Sequence, residues 1–187
     1  ASGKVPNEDC YVTQKFARIA YKMNNIDACC ARLCHVTTVQ GLEDCFGSRA
    51  AFSKMDDVYN VDCLFIIGSN PASNYPVLHN RILKAKRKGM RVVSSQAVYN
   101  VTTKFSDVSL LIYPGTELIL LNGIMRALIH QGAYDKSVEA VEGFDRLLHV
   151  VELYPIDFVH QACGVDLEQL NQLIEQIANA KSLGIIH

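Results

Sequence analysis

The chain has 187 residues, of which 49% are hydrophobic and 20% are charged. This length suits one domain with a sizeable core, and we interpret residues 1–187 as a single domain. The formal net charge of −1 excludes the basic surface on which nucleic-acid binding depends. No apolar run reaches the roughly 20 residues of a membrane-spanning helix, and no secretory leader opens the sequence.

Apolar residues recur along the chain at the spacing of helices, in alternation with short apolar strands. Helices are predicted over residues 7–23, 38–46, 74–88, 98–105, 117–131, 135–154, 155–162 and 166–181. Strands are predicted over residues 61–67, 90–94, 108–113 and 182–186. Asn7 and Asp166 are predicted to cap the first and last helices, and Thr37 or Thr38 the second, because their side chains accept from free backbone N–H groups. The segment 135–154 is one helix, or two around Gly143.

The alternation of strands and helices predicts the fold class. Strands separated by a dozen residues or more pair in parallel through right-handed crossovers. We therefore predict an α/β fold: a doubly wound, mainly parallel sheet with helices on both faces, of the Rossmann-like type. Such sheets bind ligands beyond the carboxyl ends of their strands, so the residues that follow each strand are the candidate site.

Glycines and polar residues stand at the ends of three predicted strands. These segments are Gly68-Ser69-Asn70-Pro71, Ser94-Ser95-Gln96 and Pro114-Gly115-Thr116-Glu117. Glycine lets a backbone approach a ligand closely, and the polar side chains supply donors and acceptors for a ribose or a base edge. The same residue types form ordinary turns, and Glu117 also suits the start of a helix, so both interpretations stay open. Neither Gly-x-Gly-x-x-Gly nor a Walker loop is present.

Cysteine is the unusual component of this composition, since seven are present, at positions 10, 29, 30, 34, 45, 63 and 163. An odd count without a secretory leader predicts a reducing, cytoplasmic compartment. Cys34 precedes His35, and a thiolate favoured by a neighbouring imidazolium is both a nucleophile and a soft metal ligand. A buried structural cysteine is the alternative. Four cysteines that lie on predicted helices or strands are interpreted as small apolar residues, namely Cys10, Cys45, Cys63 and Cys163. The Cys29-Cys30-x-x-x-Cys34 spacing fits neither a zinc knuckle nor a ferredoxin cluster.

Several segments, spread along essentially the whole chain, resemble the segments of one family and occur in the same order. They comprise residues 7–18, 24–35, 68–82, 114–123, 142–144 and 180–182. Together these segments resemble the catalytic subunits of molybdenum- or tungsten-dependent formate dehydrogenases. Those subunits belong to the molybdopterin oxidoreductase family and bind bis(molybdopterin guanine dinucleotide).

The resemblance implies two catalytic residues, Cys34 as the metal ligand and His35 as a group that assists in taking the proton or hydrogen from formate. It also implies that residues 68–71, 94–96 and 115–117 hold one guanosine end of the cofactor. The implied reaction is oxidation of formate to carbon dioxide, with two electrons passed to an iron–sulfur chain. A soft molybdenum or tungsten centre suits a thiolate. The implied partners are other domains of the same subunit and an iron–sulfur electron-transfer subunit.

Four departures from the family pattern bear on these expectations. The family's N-terminal domain, where the iron–sulfur cluster is expected, and its segments after residue 186 are absent. We therefore interpret the chain as a fragment of a larger subunit, inactive and without cofactor by itself. The segment between Asp27 and Cys34 is one residue longer than usual, through Ala28. Ser94-Ser95-Gln96 stands where formate dehydrogenases usually have Asp-Pro-Arg, although related nitrate reductases carry a Ser-Thr loop there.

Two other functions stay open. One is a non-catalytic scaffold of the same fold that has lost the molybdopterin, such as the large subunit of complex I. The loss of Asp-Pro-Arg favours this scaffold, whereas retention of Cys34-His35 favours the enzyme. The other is a small redox-sensing or metal-binding protein built around Cys29, Cys30 and Cys34. In the enzyme, Cys34 is expected to matter more than Cys29 or Cys30.

Overall fold

A computed structural model describes residues 5–29, 34, 36–50 and 53–187 of the chain. The chain forms two compact units, Ala1–Lys54 and Met55–His187. His35, one of the two predicted catalytic residues, lies outside the described residues, as does Cys30. Within the described ranges, no helix is both long and apolar enough to cross a membrane.

The first unit contains two helices, α1 (Asn7–Ala20) and α2 (Val36–Phe46). The prediction that Asn7 caps α1 is wrong, because the extended backbone of Pro6 (ψ 155°) occupies the cap position and Asn7 is already helical. This helix ends three residues earlier than predicted, just before Lys22 adopts a left-handed conformation (φ 51°) that no helix continues. Thr37 and Thr38 lie inside α2, so the predicted cap of that helix is wrong as well.

The second unit contains the sheet and the helices that cover it. Its strands are β1 (Cys63–Ile67), β2 (Arg91–Gln96), β3 (Val108–Leu111) and β4 (Leu183–Ile186). Its α-helices are α3 (Pro71–Asn74), α4 (Pro76–Arg87), α5 (Val101–Phe105), α6 (Glu117–His130), α7 (Phe144–Val151), α8 (Ile156–Cys163) and α9 (Leu167–Ala178). Short 3-10 helices span Met55–Tyr59 and Lys136–Ala140. Each predicted strand is present.

The sheet is parallel throughout, in the order β3-β2-β1-β4. Ile67 lies opposite Ser95 across the β1–β2 pair, and Gln96 lies opposite Leu111 across the β2–β3 pair. These three strands therefore end side by side. The connection after β3 returns across the sheet to β4, which reverses the direction of winding between β1 and β4. A crevice at such a reversal is the usual ligand site of open α/β sheets.

Alternate residues of the strands build one core on each face of the sheet. Phe65, Val93 and Leu110 belong to the core beneath α6, α8 and α9, while Leu64 and Val92 belong to the core beneath α4. Strands covered on both faces are apolar along their length, which explains the apolar runs in the sequence. The predicted doubly wound α/β fold is confirmed.

Two boundaries differ from the prediction in ways that shape the candidate site. The helix predicted over residues 74–88 begins later, because Tyr75 precedes a proline and such residues avoid the helical conformation (ψ 68°). Strand β2 continues through Ser94 and Ser95 to Gln96, and none of these three residues is more than 3% exposed. The predicted second loop is therefore the buried end of a central strand.

Two predicted features of the C-terminal third control where its helices start. The Asp166 carboxylate accepts from the N–H of Gln169 at 2.9 Å, so the predicted cap of α9 is confirmed. Gly143, in a left-handed conformation (φ 90°), directly precedes α7. The segment 135–154 thus contains one 3-10 helix and one α-helix, which meet near this glycine.

Candidate functional site

Three polar segments meet at the carboxyl edge of the sheet. They are a first loop (residues 68–71) after β1, the end of β2 (residues 94–96), and a third loop (residues 112–117) after β3. The N–H of Gly68 donates to the carbonyl oxygen of Ser95 at 2.9 Å, which ties the first loop to β2. The N–H of Ile112 donates to the carbonyl oxygen of Gln96 at 3.0 Å, which ties the third loop to the same strand. The predicted cofactor-binding residues therefore share one edge.

The first loop combines open space with a firmly held backbone. Gly68 adopts a left-handed conformation (φ 60°) that favours glycine, and a Cβ at this position would meet no atom within 4 Å. The carbonyl oxygen of Ser69 accepts from Nε2 of Gln96 at 3.0 Å. The Asn70 side-chain amide donates to Ser73 Oγ of the short helix α3 at 3.0 Å, and the buried Pro71 begins that helix. A ligand can thus approach the loop without displacing it.

The three side chains at the end of β2 differ in what they contact. Ser94 Oγ donates to Ser109 Oγ of β3 at 2.9 Å. The Gln96 amide donates to a carbonyl of the first loop, and its oxygen accepts from the Asn100 side chain at 3.2 Å. Ser95 is only 1% exposed, and its hydroxyl has no hydrogen-bond partner in the described part of the chain. Of the three side chains, Ser95 alone has a polar atom with no partner among the described residues.

The Ser95 hydroxyl is a buried polar group at this edge that has no partner among the described residues. A buried polar group without a partner costs about 1–3 kcal/mol, and native proteins keep few of them. A sugar hydroxyl or a base edge would supply the missing hydrogen bond. Gly68 follows the neighbouring strand β1, and its N–H donates to the Ser95 carbonyl oxygen. The space beside Gly68 is open. The role of this edge in holding the nucleotide end of a cofactor stays a prediction.

The third loop is held by a turn and by the end of α8. Gly115 supplies the left-handed conformation of the turn (φ 85°), and Thr116 donates from its N–H and its hydroxyl to the Tyr113 carbonyl, at 3.2 and 2.7 Å. The Tyr113 ring lies directly against Gly164, where a Cβ would come within 2.4 Å of it. Glu117 begins α6, where its carboxylate suits the positive end of the helix dipole.

The sequence reasoning missed a capping box that supports both of the first two segments. Asn100 caps α5 by accepting from the N–H groups of Thr102 (2.8 Å) and Thr103 (3.2 Å), and Thr103 Oγ1 accepts from the Asn100 N–H at 2.8 Å. The Thr102 hydroxyl donates to the Ser69 carbonyl at 3.3 Å. An asparagine three residues before a threonine, at the start of a predicted helix, was the available signal.

The described cysteines divide between core and surface. Cys63 and Cys163 are fully buried, and burial raises the pKa of both thiols. Their interpretation as small apolar residues is supported. Cys45 is exposed on α2, so the same interpretation is wrong for that residue, and Cys10 is half-buried on α1.

Cys34, the predicted metal ligand, lies exposed in the first unit. Its Sγ accepts from the thiol of Cys29 at 3.1 Å, and its N–H donates to the Cys29 carbonyl at 3.2 Å. Among the described residues, no group of three or more His, Cys, Asp and Glu side chains is arranged to hold a metal ion. Cys34 as one thiolate ligand to a cofactor metal therefore stays a prediction, as does the role of His35.

The comparison with known families identifies the family of the chain. Residues 1–184 match the molybdopterin oxidoreductase family. The chain therefore belongs to that family, whose members use a molybdopterin-type cofactor with molybdenum or tungsten. The resemblance noted from the sequence is confirmed.

Two of the curated relatives are formate dehydrogenases. The α subunit of an F420-dependent formate dehydrogenase from Methanocaldococcus jannaschii is 38% identical over 189 residues, which cover 100% of this chain and 28% of that protein. Formate dehydrogenase H of Escherichia coli is 34% identical over 182 residues, which cover 96% of this chain and 25% of that protein. The chain is a formate dehydrogenase-like domain and spans about a quarter of the length of these relatives.

A solved structure supports the fold. Acetylene hydratase from Pelobacter acetylenicus superposes with a TM-score of 0.64, over 71% of this chain and 20% of that chain. The sequences are 23% identical, so this likeness supports the α/β architecture and nothing about the reaction.

Proposed function

We propose that the chain is the part of a larger formate dehydrogenase subunit that holds one guanosine end of bis(molybdopterin guanine dinucleotide). The observation that carries this proposal is the buried hydroxyl of Ser95, without a partner among the described residues, at the edge where three polar segments meet. Family membership supports the cofactor type. The matched share of the relatives, 28% and 25%, supports a piece of a larger subunit.

Within this site the residues take two kinds of role. Gly68 leaves room for the nucleotide, Ser95 offers a hydroxyl, and the Glu117 carboxylate is an acceptor for the N–H groups of guanine. Ser94 and Gln96 are positioning residues, because their side chains bond to neighbouring protein groups. The remaining proposed site residues shape the backbone of the two loops, namely Ser69, Asn70, Pro71 and Gly115.

In the proposed reaction, formate loses one proton and two electrons and becomes carbon dioxide. When bound, the molybdenum or tungsten cofactor supplies the two-electron redox chemistry. The Cys34 sulfur is the proposed protein ligand to the metal, since soft metals favour thiolates. His35 is the proposed group that assists in taking the proton.

The proposed surroundings follow from the same assignment. An iron–sulfur cluster in another domain of the subunit, followed by an iron–sulfur partner subunit, would accept the electrons. We expect the isolated 187-residue chain to oxidise no formate, because it spans only about a quarter of the length of the formate dehydrogenases that it matches. A cytoplasmic location is proposed because seven cysteines, an odd number, suit a reducing compartment.

The metal-ligand role is tested by Cys34→Ser in the full-length subunit. We expect this variant to lose formate oxidation while its circular dichroism spectrum stays unchanged, because serine is a poor ligand for a soft metal. Cys45→Ser is the matched control, since it changes another exposed thiol of the same unit, and it is expected to retain activity. Normal turnover of Cys34→Ser would contradict the assignment.

The guanosine role is tested by the chemistry of the extracted cofactor. Acid hydrolysis of cofactor from the purified full-length subunit is expected to release GMP, which chromatography identifies against standards. Release of a different nucleotide, or of none, would contradict the proposed guanosine site while leaving the metal-ligand assignment open to its own test.

A second function, the scaffold without cofactor, is favoured by one observation. Ser94 and Gln96 occupy the positions of the usual Asp-Pro-Arg segment, and both side chains already bond within the protein. A scaffold subunit would contain neither metal nor pterin. Metal and pterin analysis of the full-length subunit therefore separates the two functions.

A further inference from the structure

Two thiols of the first unit lie in direct contact. The Cys29 thiol donates to Cys34 Sγ at an S–S separation of 3.1 Å, only about 1 Å longer than a disulfide bond. The main chains approach as well, because the N–H of Cys34 donates to the Cys29 carbonyl at 3.2 Å. Two cysteines can be bridged without moving the backbone only where their main chains lie close and their side chains face each other. This pair meets both conditions.

We propose that Cys29 and Cys34 form a reversible intramolecular disulfide when the chain meets hydrogen peroxide. The Cys34 thiolate attacks one peroxide oxygen: an S–O bond forms, the O–O bond breaks, and water leaves after protonation. Cys29 then attacks the resulting sulfenic sulfur, so that the S–S bond forms, the S–O bond breaks and a second water leaves. Two thiols lose two electrons and two protons, and one peroxide becomes two waters. A dithiol reductant restores both thiols by exchange.

The exposure of the two residues assigns their order of reaction. Cys34 is exposed and Cys29 is half-buried, so peroxide reaches Cys34 first and Cys29 acts as the resolving thiol. The short separation lets the resolving step precede further oxidation of Cys34 to the irreversible sulfinic acid.

A consequence for the metal rests on the proposed function of Cys34. A sulfur bound in a disulfide has no thiolate to offer, so the disulfide and metal ligation exclude each other. In chains that have not yet received the cofactor, the disulfide would thus keep the Cys34 sulfur in a form that reduction restores to the thiol.

Peptide mapping of the full 187-residue chain tests the disulfide itself. Trypsin cleaves after Lys22, Arg32 and Arg49, so peptide 23–32 carries Cys29 and Cys30, and peptide 33–49 carries Cys34 and Cys45. The chain is treated with hydrogen peroxide, its remaining thiols are blocked with N-ethylmaleimide, and the peptides are analysed by mass spectrometry without reduction. We expect the two peptides to be linked, with fragmentation placing the bond between Cys29 and Cys34.

Three single variants and a denatured control sharpen the result. The linked peptide is expected to be lost in Cys29→Ser and retained in Cys30→Ser and Cys45→Ser, and dithiothreitol is expected to remove it from the wild type. In urea the preference for Cys29 is expected to disappear, because it depends on the folded geometry. A bond to Cys30 or Cys45, a bond between chains, oxidation of Cys34 without any link, or the same product pattern in urea would overturn the proposal.

Labelling of the full-length subunit tests the consequence for the metal. In the cofactor-loaded subunit, Cys34 is expected neither to react with N-ethylmaleimide nor to form the disulfide. In the cofactor-free subunit, the Cys29–Cys34 disulfide is expected to form. If the disulfide forms in the cofactor-free chain but Cys34 reacts equally in both forms, the ligand assignment fails and the disulfide stands. If no disulfide forms in the cofactor-free chain while the cofactor protects Cys34 from N-ethylmaleimide, the disulfide proposal fails and the ligand assignment stands.

Discussion

Replacing Ser95 by alanine removes one oxygen atom from the buried end of β2. In the cofactor-free chain this hydroxyl has no hydrogen-bond partner in the described part of the structure. Folding therefore removes the hydrogen bonds that this hydroxyl makes to water and supplies no protein partner, at a cost of about 1–3 kcal/mol. Ser95→Ala relieves that cost and leaves only a small void, so we expect the free energy of unfolding to rise by about 1 kcal/mol.

The residue before it provides a matched control. Ser94 is equally buried, but its Oγ donates to Ser109 Oγ at 2.9 Å. Ser94→Ala removes the same atom and loses that bond, so it is expected to lower the free energy of unfolding by about 1 kcal/mol. The two alanine variants, on adjacent residues of one strand, should therefore change stability in opposite directions.

Urea unfolding of the isolated chain, followed by circular dichroism, measures both changes. A difference of 1 kcal/mol corresponds to roughly 2–4 °C in the melting temperature of a chain of this length, which differential scanning fluorimetry resolves. If Ser95→Ala destabilises the chain as Ser94→Ala does, the Ser95 hydroxyl is bonded in the folded state and the argument for a ligand there fails. In the cofactor-loaded subunit the sign should reverse, because alanine then loses a bond to the cofactor.

Three further changes each test one contact. Gly164→Ala is expected to cost about 1–3 kcal/mol in urea unfolding, because φ is +68° and the new Cβ would come within 2.4 Å of the Tyr113 ring; an unchanged midpoint would contradict this packing. Asn100→Ala is expected to cost about 1 kcal/mol in the same assay through loss of the α5 cap, and a neutral result would contradict the capping box. Backbone N–H groups of Lys181 and Ser182 hold the pKa of Asp62 below its ordinary value, so its contribution to stability is present at neutral pH and lost as pH falls through the lowered pKa. Asp62→Asn is expected to flatten that acid step in pH-dependent unfolding, and an unaltered pH profile would assign the step to other groups.

The fold was predictable from the chain because its signals are local. Apolar runs of β-branched residues mark strands that are covered on both faces, and the spacing of Leu170, Leu173 and Ile174 marks the buried face of α9. Parallel pairing followed from the length of the connections. Boundaries were less accurate where tertiary pairing decides them. Ser95 and Gln96 were predicted to follow the second strand, but they pair within it as its last two residues.

The candidate site was predictable as a place and not as a set of contacts. The rule for parallel sheets directs attention to the residues after each strand, and the loops do converge there. Which polar side chain is left for a ligand depends on distant partners. Gln96 is engaged by Ser69 and Asn100, whereas Ser95 has no partner among the described residues.

By itself, the sequence determined the family, the alternation of strands and helices, and the Cys34-His35 pair, because each depends on the identity and order of neighbouring residues. The tertiary structure alone decided that the Ser95 hydroxyl is buried without a partner in the described part of the chain, and that Cys29 meets Cys34 sulfur to sulfur. The physical reason is that burial and contact depend on how the backbone brings groups together in space. No local spacing rule specifies a separation of 3.1 Å between two sulfur atoms.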